Sequence, residues 1–211
     1  MTFLDNMTTD VTPSAPPAGM SKIKADNLLV EACKKGKLED AKKAVECGAD
    51  INLARDGKTP LIWASIKNQL EIIEYLVDLD VDVNKIVDGE TALSYAAFVS
   101  GEKVINLLIR HGAEVNRIHD NGETILCKIA RTDNLGTLRA LIEYGGAKID
   151  YQTPEMKICP LYIAFFHSRM NMGEMLLRLG ANWRLKNNSG KDVWDSFNLT
   201  VRDLITKYGR V

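Results

Sequence analysis

The sequence is short of the residues from which most active sites are built. Its 211 residues hold three histidines, at 111, 119 and 167, and four cysteines, at 33, 47, 127 and 159. No Cys-x-x-Cys pair occurs and metal-ligand spacing is absent, so neither a metal nor a cofactor is expected. Cys127 or Cys159 as a nucleophile with His167 would need an Asp or Asn to orient the base, and none is so placed. Buried, inert thiols and no catalysis are the expectation. Gly57-Lys58-Thr59 resembles the end of a phosphate-binding loop, but the glycine required five places earlier is Asn52. Charge of one sign is lacking too. The formal net charge is -1, and no basic stripe marks a nucleic-acid binder or a partner for anionic membrane. Pairs such as Lys34-Lys35 and Lys42-Lys43 read as solvated helix faces. No apolar run approaches the roughly 18 residues of a membrane span, Leu161 to Phe166 being among the longest. The N-terminus shows no basic segment followed by an apolar one, so no secretory signal is expected. The chain is large and apolar enough to need no disulfide staples, which points to reduced thiols in a cytoplasmic compartment.

What is present is a normal share of apolar residues, 45%, beside 26% charged, which suits a folded chain. Residues 1–22 stand apart. Thr8, Thr9, Thr12, Pro13, Ser14, Pro16, Pro17 and Gly19 carry little apolar periodicity, and a disordered tail is expected, with Met20 an alternative start.

Beyond the tail the chain repeats itself. Asp56-Gly57-Lys58-Thr59-Pro60-Leu61 returns as Asp88-Gly89-Glu90-Thr91-Ala92-Leu93, then as Asn121-Gly122-Glu123-Thr124-Ile125-Leu126, then in worn form as Lys157-Ile158-Cys159-Pro160-Leu161. The leucines are spaced by 32, 33 and 35 residues. A second marker keeps the same period: Gly48-Ala49-Asp50-Ile51-Asn52, Asp80-Val81-Asp82-Val83-Asn84, Gly112-Ala113-Glu114-Val115-Asn116, Gly146-Ala147-Lys148-Ile149-Asp150 and Gly180-Ala181-Asn182. Periods near 33 mean stacked supersecondary units. Within one unit, Gly57 suits a tight turn, Thr59 a helix cap and Pro60 the first helical position. Leu61, Ala64 and Ser65 share a face of one short helix. Asn68-Gln69 breaks it, and Ile72, Ile73, Leu76 and Val77 mark a second. Such a unit has two apolar flanks and is stable only when stacked.

These residues resemble the ankyrin repeat, from about residue 25 to the C-terminus. The resemblance implies an all-α fold, a solenoid of stacked helix-turn-helix units with projecting β-hairpin-like loops. Residues 23–211 then form one ankyrin-repeat domain of about six repeats: an N-terminal cap at 25–53, units at 54–86, 87–118, 119–152 and 153–186, and a C-terminal cap at 187–211. There are departures. The family's histidine after Thr-Pro-Leu is replaced by Ile62, Ser94, Cys127 and Tyr162, so its inter-loop hydrogen bonds must be absent or remade. The unit at 54–86 ends in Asp80-Val81, without a C-cap glycine. Extra residues near Gly145-Gly146 and across 151–157 predict an irregular loop there.

The resemblance implies a protein-interaction module, such as an adaptor, scaffold or stoichiometric inhibitor, that binds another protein through a concave groove and loop tips. A secreted effector or a regulatory subunit of an enzyme complex is the alternative. A monomer is expected when unbound. The family's partner-facing positions correspond here to Ile66, Lys67, Phe98, Val99, Arg131, Thr132, Phe166 and His167, with Arg55, Lys58, Ile86, Val87, Ile118 and His119 as a rim. Aromatic anchors beside an arginine have the composition of interface hot spots. Asn84 and Asn116 also resemble ankyrin sites of asparagine hydroxylation, although bridging the loops by side-chain hydrogen bonds explains them more simply.

Overall fold

The computed structural model of the protein describes residues 20–99 and 101–209. The expectation of a disordered tail falls, up to residue 19, outside the described residues. The chain is helical from Lys22 onward.

Helices come in antiparallel pairs: α1 (Lys22–Lys35) with α2 (Leu38–Glu46), α3 (Pro60–Ile66) with α4 (Leu70–Val77), and α5 (Ala92–Val99) with α6 (Glu102–Arg110). Then come α7 (Ile125–Ile129) with α8 (Leu135–Arg139), α9 (Pro160–Phe166) with α10 (Met170–Arg178), and α11 (Val193–Ser196) with α12 (Leu199–Tyr208). The first helices stack α1 on α3 on α5 on α7 on α9, while α2, α4 and α6 form a second layer that α8, α10 and α12 continue. Among the described residues the only extended pairings are isolated bridges. The fold is the expected all-α solenoid of repeated helix pairs.

Local chemistry explains each unit. Thr59 caps α3, its hydroxyl accepting the Ile62 N–H at 3.2 Å, and Thr124 caps α7 in the same way. Asp56 and Gly57 both have positive φ, 52° and 72°, which gives the tight hairpin turn closed by the Arg55–Lys58 bridge. Asp88-Gly89 repeats it. Asn68, at φ 54°, turns the chain from α3 into α4. Leu61, Leu93, Leu126 and Leu161 are all buried between helix pairs, and Leu→Ala at such a site costs about 2–5 kcal/mol. Small residues let the first helices approach closely: Ala64 and Ser65, Ala96 and Ala97, Ala130, Ala164.

The second marker forms a ladder between units. Asn52 Oδ1 accepts the Asp82 N–H at 2.8 Å, Asn84 the Glu114 N–H at 2.9 Å, and Asn116 the Lys148 N–H at 2.8 Å. Asp26 and Asp150 extend it at either end, receiving the N–H groups of Asp50 and Asn182. Asn84 and Asn116 also donate to the Gly112 and Gly146 carbonyls. Their place in the repeat is thereby explained by loop bridging.

The fourth unit carries one residue more. Leu76, Leu108 and Leu176 stand four positions before Asp80, Gly112 and Gly180, whereas Leu141 stands five before Gly146. The helix absorbs the extra residue as a π turn over Ala140–Tyr144, with Gly145 N–H bonding Ala140 O at 3.2 Å. A Cβ at Gly145 would lie 2.7 Å from Val115 Cγ2, so only glycine fits. The loop of the fifth unit is irregular as expected. It lacks the two-residue turn and closes through Thr153 N–H to Ile158 O at 3.0 Å.

Candidate functional site

Three register positions of each repeat form a strip across the face made by the loops and the first helices. Loop position 58 is matched by 90, 123 and 158; helix position 63 by 95, 128 and 163; and, one turn on, position 66 by 98, 131 and 166. The repeat puts these side chains side by side, and what stands there changes along the chain.

At the N-terminal end they are cations and aromatic rings. Lys58 Nζ lies 5.3 Å from the ring centres of both Trp63 and Tyr95, and Lys34 Nζ lies 4.6 Å from that of Trp63. In the middle they are closed ion pairs. Lys128 hydrogen-bonds Glu90, and Arg131 grips Glu123 through two bonds, one of them 3.0 Å. Burial alone would raise the Glu90 carboxyl, but the Lys128 hydrogen bond, with help from Ser94 and His119, holds it below its ordinary value. At the C-terminal end the strip turns apolar. Position 163 is a buried isoleucine there, and Ile158 and Phe166 of the strip, with Tyr162 from the neighbouring register and Met156, Arg131 and Asn188, line a cleft of about 340 Å³. Phe166 is 67% exposed at its mouth and Met156 55%. Tyr162 is held edge-on against Phe197, ring centres 5.0 Å apart, and Phe166 lies stacked beyond it at 6.5 Å.

The expected partner-facing residues divide as follows. Phe98 is 52% exposed, and Lys67, Val99, Ile86, Ile118 and His167 are exposed too. Arg131, Thr132, Arg55 and Lys58 are half-buried. Ile66 and Val87 turn partly into the core. His119 requires a correction, since it is no rim residue. It is 6% exposed, its Nδ1 lies 3.2 Å from the Gly89 carbonyl and 3.4 Å from Glu90 Oε2, and burial followed by the Lys128 charge lowers its pKa. It ties one loop to the next. Arg117 joins it by donating to the Gly89 carbonyl at 3.0 Å, and Tyr151 OH donates to the Gly122 carbonyl at 2.8 Å. These bonds tie each loop to its neighbour.

The sequence reasoning passed over Trp63, Tyr95, Met156, Tyr162 and Asn188. Trp63 and Tyr95 stood at matching register, two places after Leu61 and Leu93, which is the signal that could have found them. Met156 and Asn188 offered none, because they meet only when two loops fold against one another.

Burial disfavours the thiolate at Cys33, Cys127 and Cys159: it pushes Cys159 up to about 11 and Cys33 to about 12, and it raises Cys127 as well. His167 caps the opposite end of the helix that Cys159 begins. No cluster of metal-ligating side chains occurs among the described residues.

A family model described as ankyrin repeats (3 copies) matches residues 29–119 and again 99–187. No curated protein matches the chain.

Proposed function

The chain belongs to the ankyrin-repeat family, whose repeats are generally protein–protein interaction modules, and from that premise we propose that it is a non-catalytic adaptor, scaffold or stoichiometric inhibitor. It holds a partner protein on the face formed by the loops and the first helices, and the cleft beside Phe166 takes an apolar anchor of the partner. One observation carries this reading: large apolar side chains stand exposed at the register positions of that strip and around the cleft, above all Phe98 and Phe166. An exposed aromatic at the cleft, Phe166, beside an arginine already positioned by Glu123, supplies what a hot spot needs. The unbound chain is a monomer in the cytoplasm that uses no cofactor and binds neither nucleic acid nor membrane. Its cysteines are free, and among the described residues no helix is long and apolar enough to cross a membrane.

The test is to capture the partner from source cells, purify it, and titrate it against the unaltered chain and against Phe98→Ser and Phe166→Ser. Each substitution should weaken binding by about 2 kcal/mol or more. Unfolding stability should stay within about 0.5 kcal/mol, because neither ring supports the core. Unchanged affinity for both variants would remove this face from the function.

A further inference from the structure

The N-terminal end of the strip is built unlike the rest of it. In the middle and beyond, the cations of the first helices and the turns after them meet carboxylates: Lys128 meets Glu90, Arg131 meets Glu123, and Arg169 Nη1 meets Asp133 at 3.2 Å. At the N-terminal end Arg55, Lys58 and Lys67 have no carboxylate within ion-pair reach among the described residues. Asp56 is engaged by Lys34 at 3.5 Å, and the Asp88 carboxylate stands over Gly57 without pairing Lys58. Lys58 instead rests between two aromatic rings. Lys34, which also pairs with Glu31 at 3.3 Å, lies over the same indole, and the indole N–H of Trp63 finds no acceptor. A buried donor left unpaired is destabilising, so an acceptor brought to it is favoured.

Resting on the reading of this face as the docking face, we propose that Lys34, Lys58, Trp63 and Tyr95 form a second, separate subsite that takes an acidic peptide segment of the partner. Its Asp or Glu carboxylates pair with the Lys58 ammonium, which has no carboxylate of its own, compete with Glu31 and Asp56 for Lys34, and accept the Trp63 indole N–H. Arg55 and Lys67 add long-range attraction, which salt weakens. Roughly three repeats, about 30 Å at helix-stacking distance, separate this subsite from the Phe166 cleft, a span for about nine residues of extended chain. An acidic stretch followed or preceded at that distance by one bulky apolar residue would occupy both.

The full chain, labelled with ¹⁵N, is titrated with an acetylated and amidated octapeptide alternating Glu and Asp, and with its Gln/Asn counterpart. The Trp63 indole N–H signal is identified with Trp63→Phe. Expected is a saturable shift of that signal with the acidic peptide, none with the neutral one, and weakening on added salt. Lys58→Gln, at a half-buried loop position outside the hydrophobic core, should bind the acidic peptide about fivefold less tightly. Phe166→Ser should bind it as the unaltered chain does. The subsite is overturned if the indole signal stays still, if Lys58→Gln binds equally well, or if a uridine decamer binds more tightly than the peptide, which would make it a nucleic-acid site. The acidic-peptide and Phe166 tests address opposite ends of the strip, so either can fail while the other holds.

Discussion

Residues 54–118 and residues 119–186 are each two repeats long, and they reach the same stacked geometry by different means. The first stretch keeps to the pattern. Its loops are two-residue hairpin turns with Gly57 and Gly89 at positive φ, its first helices put small residues at Ser65 and Ala97, and its second helices fill the space opposite with Ile73 and Ile105. The second stretch keeps Gly122, Ala130 and Leu138 at the matching places of its first unit but departs elsewhere. It has an extra residue taken up by a π turn, a longer loop at 151–158, and Phe165 where its siblings have Ser or Ala. The bulk of Phe165 is accommodated because the residue facing it is Gly173, at the register of Ile73 and Ile105. A Cβ on Gly173 would collide with the Phe165 ring. The cleft lies in this irregular stretch. Its walls are the lengthened loop, through Met156 and Ile158, the α9 side chains Tyr162 and Phe166, and the loop at 187–189.

The sharpest way to break that comparison is to convert the fifth unit to the pattern of the third. Phe165→Ala alone should cost about 3–5 kcal/mol in denaturant unfolding, and Gly173→Ile alone about 1–3 kcal/mol by overpacking. The double variant should be more stable than either single one, since Ile refills the space that Phe vacates. Additive losses would show that the two positions do not compensate. A smaller effect should come from the one flaw in the regular stretch. Asp80 holds φ 55° where Gly48, Gly112 and Gly180 hold 83°, 87° and 91°, and a Cβ at those glycines would meet nothing. Glycine is there for its backbone freedom alone, so Asp80→Gly should stabilise the chain by about 0.5–1 kcal/mol. A loss of stability would mean that the Asp80 side chain has a role of its own.

The smallest effect concerns His119, which links the two stretches. Its folded pKa lies below the ordinary 6.5 through burial and the Lys128 charge. The unfolded chain therefore takes up the proton first as pH falls. The stability that neutral His119 confers is complete above about pH 6.5 and is lost below it. His119→Gln should flatten stability between about pH 7 and about pH 5. An unaltered pH profile would show that the loop contact is indifferent to this ring's charge.

Much of the fold was legible because it rests on short-range rules. The threonine caps, the glycine turns, the leucine spacing and the Asn-Asp ladder each lie within one repeat or one period. Phe98 and Phe166 could be placed for the same reason, as register fixes which way a residue of the first helix faces. His119 was misplaced because its burial depends on Glu90 and Gly89 of the preceding loop, some thirty residues away.

By itself the sequence determined that the chain is a stack of repeated helix pairs, with threonine caps and glycine turns between them, since period and capping act locally. Only the tertiary structure decided that Gly173 answers Phe165, that Glu90 and Glu123 neutralise the middle of the strip, and that Met156 and Asn188 close a cleft over Phe166. Those are contacts between side chains of different elements. Their free energy depends on distance and burial, which no position in a linear pattern carries.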